Sequence, residues 1–315
     1  MDALSEVLRE VHLNGGVFLH AQFNDPWCIA VSVTREHCGP MLGPSTHLIP
    51  YHFVAEGPIH MQVDGGEAVA LRAGEIVLLP RNDLHVMGSD LALPPVRASE
   101  VIEPSLSGGL ASIRHGGMGR SARMICGFLA CDGHPVISAL PKSLRLDVER
   151  SDGADWIRST FRYAADEVGA GRPGSEAVLA RLSELLFVEA VRRHVESLPA
   201  DETGWLAGLR DPHVARTLAL LHRDCARDWT LDGLGREIGL SRSALADRFT
   251  RLIGAPPMHY LAQCRMQLAA RKLRGSQASL AEIAESVGYE SEAAFSRAFK
   301  KAFGAPPATW RRRQG

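Results

Sequence analysis

The chain has 315 residues, 45% hydrophobic and 23% charged, a length that exceeds one ordinary core and points to two domains with connections. This composition excludes a disordered or fibrous chain; six cysteines in such a length do not suggest a disulfide framework, and no apolar run is long enough to span a membrane. The net charge of −1 conceals a division: 18 Lys or Arg stand against 10 Asp or Glu from residue 208 onward, and 17 against 26 before it, so one basic domain with an anionic partner is expected.

Residues 1–12 carry Asp2, Glu6, Arg9 and Glu10 and lack the apolar core of a signal peptide, which predicts a cytoplasmic protein. Residues 3–11 fit a short amphipathic helix with Leu4, Val7, Leu8 and Val11 on one face. From residue 16 to about residue 129 the pattern changes to short alternating segments, such as 52–54, 59–63, 68–71 and 75–79. Asp64-Gly65-Gly66 reads as a hairpin turn and Ala73-Gly74 as a second turn. Many short strands with turn signals predict a small antiparallel barrel or sandwich. Residues 90–120, rich in Pro, Ser and Gly, are expected to form a mobile loop region.

Val54-Ala55-Glu56-Gly57, Val63-Asp64-Gly65-Gly66, residues 71–80 and then His85 together resemble the cupin barrel. Asp25-Pro26-Trp27, Ile125-Cys126-Gly127, His134-Pro135 and Ala139-Leu140-Pro141 resemble the cupin-type sensor found ahead of AraC-type DNA-binding domains. The resemblance implies a sensor domain over residues 1–145. Nine of the 13 histidines lie before residue 135, and imidazole suits Zn, Fe, Ni and Cu. Enzymatic cupins carry a His-x-His and Glu in the strand before Val54 and a later histidine. His85 matches the later one and His47 lies near the first motif, but its paired His and Glu are missing. His52 has the strand parity to point inward. His47, His52 and His85 are therefore the candidate effector residues. They would either hold a divalent metal ion, hydrogen-bond an organic ligand, or simply pack. Some regulators with this sensor type respond to oxidants, which makes Cys28, Cys38, Cys126 and Cys131 redox candidates; such a role needs an exposed thiol of low pKa. A small buried core residue is the competing reading of Cys126.

After Pro141 the periodicity is helical. Residues 155–168 and 175–195 are two candidate helices split by a glycine-rich stretch. The second carries Val178, Leu182, Leu185, Leu186, Val188 and Val191, an apolar face wide enough to want a partner, so residues 146–207 are read as a homodimerisation region followed by a linker over 198–208. Burial of that helix wholly inside its own subunit is the alternative.

Residues 208–315 contain one device twice. Gly254-Ala255-Pro256-Pro257 recurs as Gly304-Ala305-Pro306-Pro307 at an offset of 50, and Leu231, Ile238 and Gly239 pair with Leu280, Val287 and Gly288 at an offset of 49. Each copy reads as helix, glycine turn, helix. Thr230 and Ser241 cap the first pair, Ser279 and Ser291 the second, with Glu282 completing a capping box. This is a tandem helix-turn-helix, in which the second helix of each pair enters a major groove. A long helix over 257–274 joins the copies. At 1.5 Å per residue it spans about 27 Å, near the ~34 Å between successive major grooves.

Ile283-Ala284-Glu285-Ser286-Val287-Gly288-Tyr289, followed by Ser291, Phe295, Phe299, Lys300, Phe303-Gly304 and Pro307, resembles the AraC/XylS family of transcription regulators. Arg242, Ser243, Ala246 and Asp247 in the first recognition helix, and Glu292, Ala293, Ser296 and Arg297 in the second, are the candidates for base edges. The resemblance places Asp247 and Arg297 where the family often sets a long base-contacting side chain. Arg297 suits guanine, whereas Asp247 accepts only from cytosine and weakens readout by the first helix. Arg248, Arg251, Lys300, Lys301 and Arg311 are the phosphate candidates. The expected fold is α+β: an antiparallel cupin-like barrel, a helical dimerisation region and an all-α double helix-turn-helix domain. The expected function is a promoter-binding regulator that responds to a small-molecule, metal or redox signal, with RNA polymerase as a partner and no membrane. Without a catalytic constellation it is read as a non-enzyme. The alternative is a metal-dependent cupin enzyme with an appended DNA-binding domain.

Overall fold

The computed structural model describes residues 3–11, 13–14, 18–34, 47–103, 111–131, 135–147, 174–199 and 201–314, with positions 159 and 163. Contacts divide the chain into one unit of residues 12–194 and another of residues 1–11 and 195–315. Among the described residues no helix is long and apolar enough to cross a membrane.

The first unit is built from β1 (Leu13–Asn14), β2 (Phe18–Asn24), β3 (Cys28–Val31), β4 (His47–Glu56), β5 (Pro58–Val63), β6 (Val69–Arg72), β7 (Glu75–Leu78), β8 (His85–Gly88), β9 (Val96–Arg97), β10 (Ile102–Glu103), β11 (Ala111–Gly116), β12 (Ser121–Cys131) and β13 (Leu144–Asp147). One sheet has the order β10-β11-β2-β12-β4-β7-β13, with β1 also paired to β12; the other has the order β6-β5-β8-β3-β9. Side chains of both sheets, among them Phe23, Ile29, Val54, Ile59, Met87 and Met124, share one buried cluster between them. The expected barrel is therefore an open sandwich. It is not purely antiparallel either, because β11 runs parallel to β2 and β9 parallel to β3.

Local signals hold where the turn chemistry is strong. Asp64 and Gly65 both adopt positive φ, 50° and 65°, and the Gly66 N–H donates to the Val63 carbonyl, a primed turn that opens the connection between β5 and β6. The region expected to be loop contains β9, β10 and β11, with the short helix α2 (Ala98–Val101) between the first two. Gly116 ends β11 where a Cβ would lie 2.1 Å from the Asn24 carbonyl oxygen, at φ +115°, so a glycine is required for that close approach.

The short helix α3 (Pro135–Ala139) lies between β12 and β13, and α4 (Ser175–Ser197) follows β13 in sequence. Tyr51, on the opposite face of β4 from His52, meets Ser183 of α4 through a 2.9 Å hydrogen bond between hydroxyls. Leu179, Leu186, Phe187, Ala190 and Val191 of α4 are buried, while Val178, Leu185 and Val188 are exposed. One face of this helix is thus internal, and the other is exposed among the described residues. The candidate helix over 155–168 lies outside the described residues apart from positions 159 and 163.

In the second unit, α1 (Ala3–Glu10) packs against α6 (Pro212–Arg223), with Val7 and Leu8 buried. The stretch read as linker contains α5 (Trp205–Gly208), with Leu206, Ala207 and Gly208 buried; α5 packs on α8 (Arg242–Ile253). The remaining helices are α7 (Leu231–Ile238), α9 (Pro257–Gly275), α10 (Leu280–Ser286), α11 (Glu292–Phe303) and α12 (Pro307–Gln314).

Candidate DNA interface and effector cavity

Each reading head is held by local chemistry. Thr230 caps α7 and Ser241 caps α8; Ser279 and Glu282 form the capping box of α10, and Ser291 caps α11. Leu245 and Phe249 of α8, and Phe295 and Phe299 of α11, are fully buried at the spacing that sets the opposite face of each helix outward. The rod α9 buries Leu261, Met266, Ala269, Ala270 and Leu273.

On those outward faces Arg242, Ser243, Asp247 and Arg251 are exposed in α8, as are Glu292, Ala293, Arg297, Lys300 and Lys301 in α11; Ala246 and Ser296 are half-buried. Two expected phosphate contacts are tied elsewhere. Arg248 binds the carboxylate of Asp211 at 2.5 Å, and Asp211 also accepts from the backbone N–H groups of His213 and Val214 as the N-cap of α6. Burial alone would raise the Asp211 pKa, but those bonds outweigh it and hold the carboxyl below its usual value. Arg248 is therefore a joint between α8 and α6. Arg311 donates to the Ala278 carbonyl at 2.6 Å and fastens α12 to the loop before α10.

Arg265, midway along α9, fixes one head against the other. It donates to the carbonyls of Cys225 (3.0 Å) and Arg227 (2.9 Å) beside the first head and lies over the Tyr289 ring in the second. Gly288, whose backbone is left-handed, sits so close that a Cβ would lie 2.5 Å from the Ala226 carbonyl oxygen. The sequence marks Gly288 only as a helix stop; neither contact has a local signature.

Between the sheets of the first unit lies a cavity of about 150 Å³, lined by apolar side chains and by Ser32, His52, Ser99 and Cys126. His52 and Cys126 are direct cross-strand partners on β4 and β12. The Cys126 thiol and His52 Nδ1 are 3.0 Å apart, His52 Nε2 and His85 Nε2 are 2.8 Å apart, and His85 Nδ1 is 3.0 Å from the Asp83 carbonyl oxygen. A carbonyl only accepts, so His85 Nδ1–H donates to it. His85 Nε2 then accepts from His52 Nε2–H, and His52 Nδ1 accepts from the thiol. One orientation satisfies the whole chain with every group neutral. Burial agrees: it carries His85 down to about 4, His52 well below its usual value with His85 adding to the effect, and the Cys126 thiol up to about 12.

The three candidate histidines do not converge. His47 lies five residues from His52 on an unbroken ladder, so it faces the other side of β4, where its Nε2 meets the Pro80 carbonyl. His52 turns its two nitrogens toward different neighbours, and among the described residues no group of three His, Cys, Asp or Glu could hold a metal ion. The residues present do not fit the metal centre of a catalytic cupin. Cys28, Cys126 and Cys131 are buried thiols, and burial raises Cys28 as well, the reverse of the exposed thiolate that the redox reading needs; Cys38 lies outside the described residues.

Two capped heads on one rod, with outward faces that carry cations and polar groups and a basic surplus confined to that part of the sequence, define a DNA-binding transcription regulator. Residues 2–196 match the family described as Cupin, and residues 234–313 match the helix-turn-helix domain. A putative AraC-like transcription regulator of Streptomyces lividans is 36% identical over 99% of this chain and 98% of its own length. The HTH-type transcriptional regulator AlkR of Acinetobacter baylyi is 29% identical over 99% of both chains, and the RCS-specific HTH-type transcriptional activator RclR of Escherichia coli is 26% identical over 99% of this chain and 98% of its own. The chain belongs to the AraC-like transcription regulators, with a cupin domain preceding the DNA-binding helices.

Proposed function

We propose that this regulator reads promoter DNA through α8 and α11 and takes its signal in the cupin unit, without catalysing a reaction. The observation that carries the reading is the pair of exposed recognition faces on heads joined by one rod, α9, whose inner side is buried. Arg297 reads a base edge, while Arg251, Lys300 and Lys301 set the register on phosphates. Footprinting on promoter fragments tests this division: Arg297→Ala should lose site preference, and Lys300→Ala should weaken all sites alike. If neither change alters the footprint, the placement of α11 in the groove is wrong.

The regulator works as a cytoplasmic homodimer that recruits RNA polymerase. The exposed stripe of Val178, Leu185 and Val188 on α4 supports a second copy as the partner of that face. Leu185→Asp should convert the dimer to a monomer in sedimentation; a dimer of unchanged strength would place the interface elsewhere. The effector enters the sandwich cavity, whose wall sets Ser32, His52, Ser99 and Cys126 among apolar side chains.

A further inference from the structure

The cavity's own chemistry narrows what it takes, and the argument rests on the reading that the cupin unit receives the signal. Among the described lining residues none carries a charge. His52 and Cys126 are the polar groups of the deep wall, and both spend their hydrogens and their nitrogen acceptors inside the relay that ends on Asp83. A ligand carboxylate or ammonium there would meet no counter-charge and no free donor, so its lost hydration would go uncompensated. The hydroxyls of Ser32 and Ser99 belong to exposed residues, so they mark the solvent side.

The rest of the wall is soft and aromatic. Phe23 and Phe128 contribute rings, and Met87 and Met124 contribute thioethers. Thioether sulfur and ring edges favour an aromatic guest over a saturated one. An apolar cavity of about 150 Å³ accepts a guest of benzene's size. We propose that the cavity between the sheets binds a neutral monocyclic aromatic molecule, seated against Met87, Met124, Phe128 and the Cys126–His52 wall.

The test uses the full chain labelled with ¹³C at its methionine methyls, titrated separately with toluene and with benzoate. Met87 and Met124 report on the cavity, while Met258, exposed in the other unit, serves as the control. Toluene should shift the Met87 and Met124 signals saturably and leave Met258 unmoved, and benzoate should bind at least about tenfold more weakly. Ala98→Phe, at a half-buried lining position, should abolish the toluene shifts while far-UV circular dichroism stays unchanged. Benzoate moving the same two methyls as readily as toluene would overturn the neutral-ligand assignment yet keep the cavity as the receiver. If neither compound moves either methyl, the ligand class and the cavity's role as receiver both fall.

Discussion

A histidine enclosed between two sheets has no water to share a charge with, and His85 carries that cost into the pH dependence of the fold. An unfolded chain titrates its histidines near pH 6.5, whereas burial takes His85 to about 4. Above pH 6.5 both states are neutral and this group contributes no difference. As the pH falls below 6.5, the unfolded chain accepts a proton that the folded one refuses, so stability is lost progressively until about pH 4. The shift corresponds to about 3 kcal/mol in total, and His52, lowered in the same direction, adds to it. Glu189, a carboxylate of the same unit, is held below its usual 4.5, so it adds little across this range. Urea unfolding followed on the Met87 methyl should therefore show a clear fall in stability between pH 7 and pH 4.5. A flat profile would mean that the relay is charged in the folded state.

At the scale of elements, what was legible in the sequence is what a few neighbouring residues decide. The caps Thr230, Ser241, Ser279 and Ser291 and the glycine stops at 239, 254, 288 and 304 act within one turn, and each is found in its expected role. The parallel pairing of β11 with β2 joins residues more than 90 positions apart and has no local mark. The same holds for α1 on α6 and for Arg248 on Asp211: an amphipathic face or a cation announces that it wants a partner, not which one. The meeting of His52 with Cys126 needed the register of β4 on β12, so the sequence offered each residue separately and for different reasons. Gly288 separates the two kinds of information. Gly254 and Gly288 share a left-handed φ near +80°, but a Cβ at Gly254 meets nothing within 4 Å, while one at Gly288 strikes the Ala226 carbonyl and the Arg265 guanidinium. Gly254→Ala should therefore cost about 1 kcal/mol from backbone strain alone. Gly288→Ala should cost more in thermal unfolding and also reduce protection of the half-site read by α11, since the Arg265 joint between the heads must shift. Equal losses from the two substitutions would show that the joint is loose.

For the whole molecule the governing quantity is the distribution of charge rather than its sum. The chain is nearly neutral, yet 18 of its 35 Lys and Arg fall from residue 208 onward with only 10 of its 36 acids. A phosphate contact releases condensed counterions, so the logarithm of the DNA-binding constant falls with the logarithm of salt by about 0.9 for each phosphate neutralised. The structure divides the cations into those with an internal anion and those without one in hand. Lys300 and Lys301 are exposed on α11, whereas Arg248 is occupied by Asp211 at 2.5 Å. Replacing Lys300 and Lys301 together by alanine should lower the salt slope by about 2. Arg248→Ala should leave the slope as it is and lower instead the melting temperature, because it frees the cap of α6 rather than a phosphate. Measuring affinity for one promoter fragment across a salt series for all three proteins decides the matter. A slope that drops with Arg248→Ala would mean that DNA draws this arginine away from Asp211, and a slope unchanged by the double substitution would remove α11 from the phosphate backbone.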